Sequence, residues 1–427
     1  VRTFNFRKEV VIIEERAIRT KKEYLIFTFY SLSFIIFGLI VDSIKNIKKG
    51  IFKIIEEPDI LITDYIGVGG IGATFVNSGI VALISLLILY KLKINITGAA
   101  TSAIWLMAGF SLFGKNVFNI WFIIAGVWLY SRYQKENFSR YVFIAMFGTS
   151  LAPLVTQVMF GTGLPRVISI SLGIIVGLLA GFVLPPLGAY LMRVHQGFNL
   201  YNVGFTAGII GTITISVFKS YGFEIQSRLI WTSGNNLILG IFMFVLFSSM
   251  LVISYTMDKQ VFSKYRKLFK YSGRLVSDFM ILEGFAPSLF NMGINGIFAT
   301  AYVLIAKGDL NGPTIGGILT IVGFSAFGKH LKNMVPIFLG VCIGSLTKVW
   351  NINDPTILMA ALFGTTLAPI AGAFGWKWGV LAGFLHSSLV LNVGFLHGGV
   401  NLYNNGFSGG IIAATLIPII EALRKDE

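Results

Sequence analysis

Apolar residues in this chain run in long unbroken blocks. Residues 24–41 read YLIFTFYSLSFIIFGLIV and residues 236–255 read NLILGIFMFVLFSSMLVISY, each near the ~20 residues with which a helix crosses a ~30 Å hydrocarbon core. Transmembrane strands would instead show stretches of about ten residues of polar–apolar alternation, so the pattern predicts spanning helices. After the first block comes a basic stretch whose Ile44, Ile47, Ile51, Phe52 and Ile55 recur at helical spacing, as in a helix lying in the membrane interface. Further helices are expected over 66–90, 98–113, 117–130 and 204–217. Residues 141–161 are broken by Gly148, Thr149 and Pro153, and the block from Val167 is expected to end at Pro185-Pro186.

The chain repeats itself. A shift of 214 residues lays Asp64 on Asp278, Asn77 on Asn291, Gly98 on Gly312 and GFSLFGK (109–115) on GFSAFGK (323–329). A slightly different shift lays FGTSLAP (147–153) on FGTTLAP (363–369). After a deletion near WKWG (376–379), HQGFNLYNVGFTAGII lies on HGGVNLYNNGFSGGII with eleven of sixteen positions identical. The organisation read from this is a basic N-terminal tail (1–22), a first membrane repeat (23–220), a linker (221–235) and a second membrane repeat (236–427). Lys and Arg weight alternate loops differently in the two copies, which favours inverted repeats. The fold class is thus an all-α polytopic membrane protein of two inverted repeats with broken or re-entrant helices.

Composition agrees and narrows the functions. Hydrophobic residues make up 55% of the chain and charged residues 12%, about half the charged share of a soluble domain. The net charge of +15 comes from clusters flanking apolar blocks, so membrane lipids rather than nucleic acid are the expected basic-face partners. Residues 2–22 are too charged, and the block after them too long, for a cleavable signal, so the first helix is expected to remain. The lone Cys342 can form no internal disulfide and is read as packing. GLLAG (177–181) and GVLAG (379–383) read as faces for close helix contact. The GxGxxG at Gly67, Gly69 and Gly72 lacks the strand context of a nucleotide site.

The duplicated motif carries the chemistry. Each copy supplies an imidazole (His195, His397), two amides (Asn199 and Asn202, Asn401 and Asn404) and a phenol (Tyr201, Tyr403), groups that hydrogen-bond neutral or anionic solutes. Two copies around a pseudo-twofold axis would line one substrate site; the alternative is helix capping and interfacial anchoring. Glu283 is read as the single acidic residue well inside an apolar segment and is placed beside a polar cavity. Lys115 and Lys329, ending the paired GFSxFGK motifs, read either as interfacial anchors or as electropositive walls of such a cavity. Four histidines without acidic neighbours do not make a metal site, no hydrolytic motif is present, and no cofactor is expected.

On these features, the repeat, the FGTxLAP breaks and the HxGxNLYN signature, the chain resembles an uncharacterised family of duplicated bacterial multi-pass membrane proteins, a domain of unknown function. Its plan is also loosely similar to that of urea transporters. The resemblance implies a location in the bacterial cytoplasmic membrane but no activity. The expected function, read from the residues, is a transporter or channel, not an enzyme, for a small polar neutral or anionic solute. Alternatives are a passive urea-type channel, a coupled secondary transporter using His or backbone carbonyls, and a membrane-embedded enzyme or scaffold. Assembly into a homo-oligomer is compatible with all of them.

Overall fold

The computed structural model describes residues 2–225 and 228–424, with side chains from Lys21 onward. Regular structure among the described residues is helical, and ten helices are long and apolar enough to cross a membrane. The protein is a multi-pass all-α membrane protein built from two repeats. Residues 226 and 227 of the expected linker lie outside the described residues.

Three local features depart from the expected elements. The first helix runs Arg2–Val41, through the segment expected to be a tail. The expected helix 66–90 is two helices, Tyr65–Gly69 and Ile71–Lys91, divided at Gly70 with φ +86°. Asp64 caps the short piece through the Ile66 N–H, and the amphipathic helix Ile44–Glu56 crosses it so closely that a Cβ on Gly50 would lie 2.1 Å from the Gly69 carbonyl oxygen. The second repeat divides in the same way at Gly284, between Phe279–Leu282 and Phe285–Ile305. Finally, Arg166–Val194 passes through Pro185 and Pro186 and ends at His195. Proline costs a helix its N–H bonds, but Leu184 and Pro185 are buried against neighbouring helices, and packing of that kind lets membrane helices keep proline.

The glycine faces act as packing surfaces. A Cβ on Gly126 would meet the Leu178 carbonyl at 2.2 Å, and one on Gly181 the Ile123 carbonyl at 2.3 Å, so Ile120–Tyr133 and Arg166–Val194 touch backbone to backbone. Gly340 and Gly383 do the same for Leu331–Thr347 and Trp376–Val393. The second-repeat helix has 18 residues against 29 in the first, which is where the deletion near WKWG falls.

The repeats are inverted. Phe34 and Phe37 of the first helix pack against Phe242 of Asn236–Met257 with ring centroids 5.3 and 4.4 Å away, while Tyr30 reaches Ser249 at 3.4 Å. Residue numbers fall on one helix as they rise on the other, so the two equivalent spanning helices are antiparallel. Gly98–Phe110 and Gly312–Phe324 are antiparallel too, with Gly98 beside Ala326 and Gly312 beside Leu112. Each of these glycines begins a helix whose first N–H is taken by an aspartate of the other repeat. The Gly98 N–H donates to Asp278 at 2.9 Å and the Gly312 N–H to Asp64 at 3.0 Å. Asp278 and Asp64 therefore mark opposite ends of the molecule, placed there by inverted copies of one capping device.

Candidate functional site

Near the pseudo-twofold axis, each His/Asn/Tyr motif meets the broken helix of the other repeat. The first break is the turn Thr149–Leu151 between Val142–Gly148 and Ala152–Phe160, and the second is Thr365–Leu367 between Pro355–Gly364 and Ala368–Phe374. At the junction of the first motif with the second break, the Leu200 N–H donates to the Thr366 carbonyl at 3.1 Å. At the junction of the second motif with the first break, the Leu402 N–H donates to the Ser150 carbonyl at 3.0 Å. Broken backbone leaves N–H and C=O groups without helical partners, which hydrocarbon cannot satisfy. Here the motif loops satisfy them.

The predicted polar residues come together at these junctions. Asn199 donates to the Gly406 carbonyl at 2.9 Å and Asn401 to the Gly204 carbonyl at 3.1 Å, so each amide crosses the axis. Tyr201 and Tyr403 face each other with ring centroids 4.7 Å apart. His195 Nε2 lies 2.8 Å from Asn202 Oδ1, and His397 Nε2 2.9 Å from Asn404 Oδ1. The Asn202 and Asn404 amides in turn donate to the Gly188 and Val390 carbonyls. That chain of bonds makes each Nε2 the protonated nitrogen. Both histidines and the amides of Asn199 and Asn401 are fully buried, and their bonds are made mainly within the protein.

Lys115 and Lys329 are fully buried as well, which sets aside the interfacial-anchor reading. Their backbones are held alike: Asn77 donates to the Ser111 and Lys115 carbonyls, and Asn291 to those of Ser325 and Lys329, at 2.7–2.9 Å. Their ammonium groups differ. Lys329 Nζ donates to Tyr201 Oη at 2.5 Å and Thr365 Oγ1 at 2.7 Å, whereas Lys115 Nζ has only the Met146 carbonyl at 3.5 Å and Met107 Sδ at 3.6 Å. Neither ammonium forms an ion pair among the described residues.

Glu283 stands apart from this cluster. It ends the short helix Phe279–Leu282, is half-buried, and accepts from Tyr271 at 2.9 Å. Its apolar sequence surroundings are the rim of a helix break, where a carboxylate finds a phenol to bond. Gly69 fills the equivalent place in the first repeat because Ile44–Glu56 packs directly on it.

Buried acids were missed because they sit in loops that fold inward. Asp59 is fully buried and accepts on Oδ2 from Tyr65 Oη and Thr156 Oγ1 at 3.0 Å and Asn119 Nδ2 at 3.3 Å. Burial pushes its carboxyl well above the usual carboxylate range, although those bonds act to lower it. Asp64 and Asp278 carried a signal, since the duplication aligns them; Asp59 carried none, because Gly273 occupies its place in the second repeat. His386, bonded to Asn405 at 2.9 Å, likewise has no repeat counterpart.

Two cavities flank the junctions and are related by the repeat. The larger, about 370 Å³, is lined by Phe143, Gly188, Ala189, Met192, Leu200, Asn202, Val203, Leu275 and Val276, and reaches Tyr201 and Tyr403. The smaller, about 100 Å³, is lined by Met359, Val390, Leu391, Gly394, Leu402, Asn404, Asn405, Leu61 and Ile62, the counterparts of the first nine residues in the same order. The larger cavity also touches Ala99 at the Asp278 end. The smaller lies at the Asp64 end, where Ile62 bonds Ile230.

No curated protein and no solved structure matches the chain. One family model matches it twice, over residues 43–220 and 257–422, one match to each structural repeat. The chain belongs to that family, described as a protein of unknown function (DUF1576).

Proposed function

We propose that the protein is a transporter for a small polar solute, neutral or anionic, that works by alternating access between its inverted repeats. The observation that carries this reading is the pair of equivalent cavities, about 370 and 100 Å³, at opposite ends of the molecule. Inverted repeats that exchange conformations would close one and open the other, moving the site's access from face to face. Unequal cavities separated by packed Tyr201 and Tyr403 fit a gated carrier better than a continuously open channel. The Asp278 end also gathers Lys91, Lys93 and the basic helix Val261–Leu268, which supports a cytoplasmic orientation for that end.

Single-cysteine labelling in a Cys342→Ser background tests the reading. Ala189→Cys in the larger cavity is expected to react with a membrane-impermeant thiol reagent from the cytoplasmic side, and Leu391→Cys from the other side once the repeats exchange. Reaction of both from one side only overturns alternating access. Solute flux in proteoliposomes, with and without an imposed Na⁺ or H⁺ gradient, separates coupled from passive movement.

A further inference from the structure

A buried lysine is among the costliest groups in a protein, and without a partner it is tolerated only when it gives up its proton or gains a counter-anion. This chain buries two, at equivalent positions, with no carboxylate paired to either among the described residues. Packing does not require them, since an apolar side chain of similar length would fill the same space at lower cost. Neutralisation by an anion would explain why both copies carry one.

The surrounding groups extend the argument. Lys329 satisfies itself on Tyr201 and Thr365. At the equivalent place, Lys115 has only long contacts and Tyr403 Oη is buried without a partner, while Thr149 donates to the Met146 carbonyl at 2.6 Å as Thr365 does to that of Leu362 at 2.7 Å. The Lys329 half thus closes on its own phenol, while the Lys115 half has an amine and a phenol with capacity to spare. The larger cavity reaches both phenols, Tyr201 and Tyr403. Its walls include Phe143, Phe147 and Phe324, which suit a small organic ion better than a strongly hydrated one.

We propose that Lys115 with Tyr403 and Thr149, and Lys329 with Tyr201 and Thr365, are paired half-sites for a small monoanion, a short carboxylate by preference, engaged alternately as the repeats exchange. This rests on the transport reading above and names its substrate class. One ammonium per half-site neutralises one charge, and the phenol and hydroxyl donors bond the anion's oxygens. The duplicated His and Asn residues then act as positioning residues that hold Tyr201 and Tyr403 at the axis.

The test is uptake into proteoliposomes at about pH 8, well above the carboxyl range. The probes are radiolabelled formate, acetate and pyruvate, the inorganic ions chloride and nitrate, and the neutral solutes urea and glycerol. At least one monoanion is expected to move. Lys115→Gln and Lys329→Gln are expected to slow it by about ten- to a hundredfold, as loss of a charge-assisted bond predicts. Lys115→Met, with the uncompensated charge removed, is expected to abolish that uptake while raising the thermal unfolding temperature in detergent; a merely structural lysine would lower it. Uptake of urea or glycerol that is unaffected by the lysine substitutions, with no anion moved, overturns the half-sites and leaves transport standing. Anion uptake that survives both Gln variants also overturns them. If none of the seven solutes moves, both readings fall.

Discussion

The two junctions at the axis share a backbone and differ in their hydrogen bonds. In the junction of the first motif with the second break, Thr366 donates to Asn199 at 2.5 Å, the Asn199 N–H reaches His195 Nδ1 at 3.4 Å, and Lys329 holds Tyr201. In the other, Ser150 Oγ, His397 Nδ1 and Tyr403 Oη are buried without partners. The bonds both share, Asn199 or Asn401 across the axis and His to Asn within each motif, hold the architecture. The bonds only one makes distinguish the two junctions. A buried polar group without a partner costs about 1–3 kcal/mol, so the looser junction is the one with something to gain from rearrangement or from a ligand.

Removing a shared bond should have the largest effect. Asn404→Leu leaves His397 Nε2 and the Val390 carbonyl unpaired inside the protein and is expected to cost about 3 kcal/mol. It should lower the thermal unfolding temperature in detergent more than Asn202→Leu does, because Asn202 is only half-buried. Equal shifts would show that burial does not separate the two junctions.

A bond made in only one junction should show the asymmetry directly. Thr366→Val removes the donor to Asn199 and is expected to cost about 1–2 kcal/mol. Ser150→Ala, at the equivalent place, removes a hydroxyl that has no partner and should leave stability unchanged or slightly raised. Matching losses in the two variants, read in the same unfolding assay, would break the comparison.

The smallest effect concerns a difference between the repeats outside the junctions. The first repeat pins the loop before its short helix with Asp59. The second uses Gly273, at φ +81°, with Ser272 accepting from Asn333. Asp59 has a carboxyl raised by burial, so its folded state favours the protonated form, and that contribution is lost as pH rises through the folded value. Asp59→Asn removes the loss. Its stability relative to the parent should therefore grow from about pH 5 to pH 8. A pH-independent difference would mean that the Asp59 carboxyl is not raised in the folded protein.

Duplication, spanning helices and breaks were legible in the sequence because each rests on local pattern. Apolar block length sets a membrane crossing, Gly and Pro punctuate helices wherever they fall, and eleven identities in sixteen positions betray a repeat. The candidate polar residues were legible for the same reason, being the polar positions of the most repeated stretch. Their partners were not. That Asn199 bonds Gly406, that Asp64 caps Gly312, and that Lys329 rests on Tyr201 are contacts between residues more than a hundred positions apart, and local pattern carries no term for them. Depth was equally hidden: Asp59 stands in a polar-looking connection, yet it folds inward onto Tyr65, Asn119 and Thr156, partners that local pattern does not name. The sequence by itself therefore determined the elements, their duplication and the inventory of polar groups, because these follow from short-range periodicity. The tertiary structure alone decided which groups meet, which are buried and which lack a partner, because two copies of one sequence, packed antiparallel, place identical residues in different surroundings.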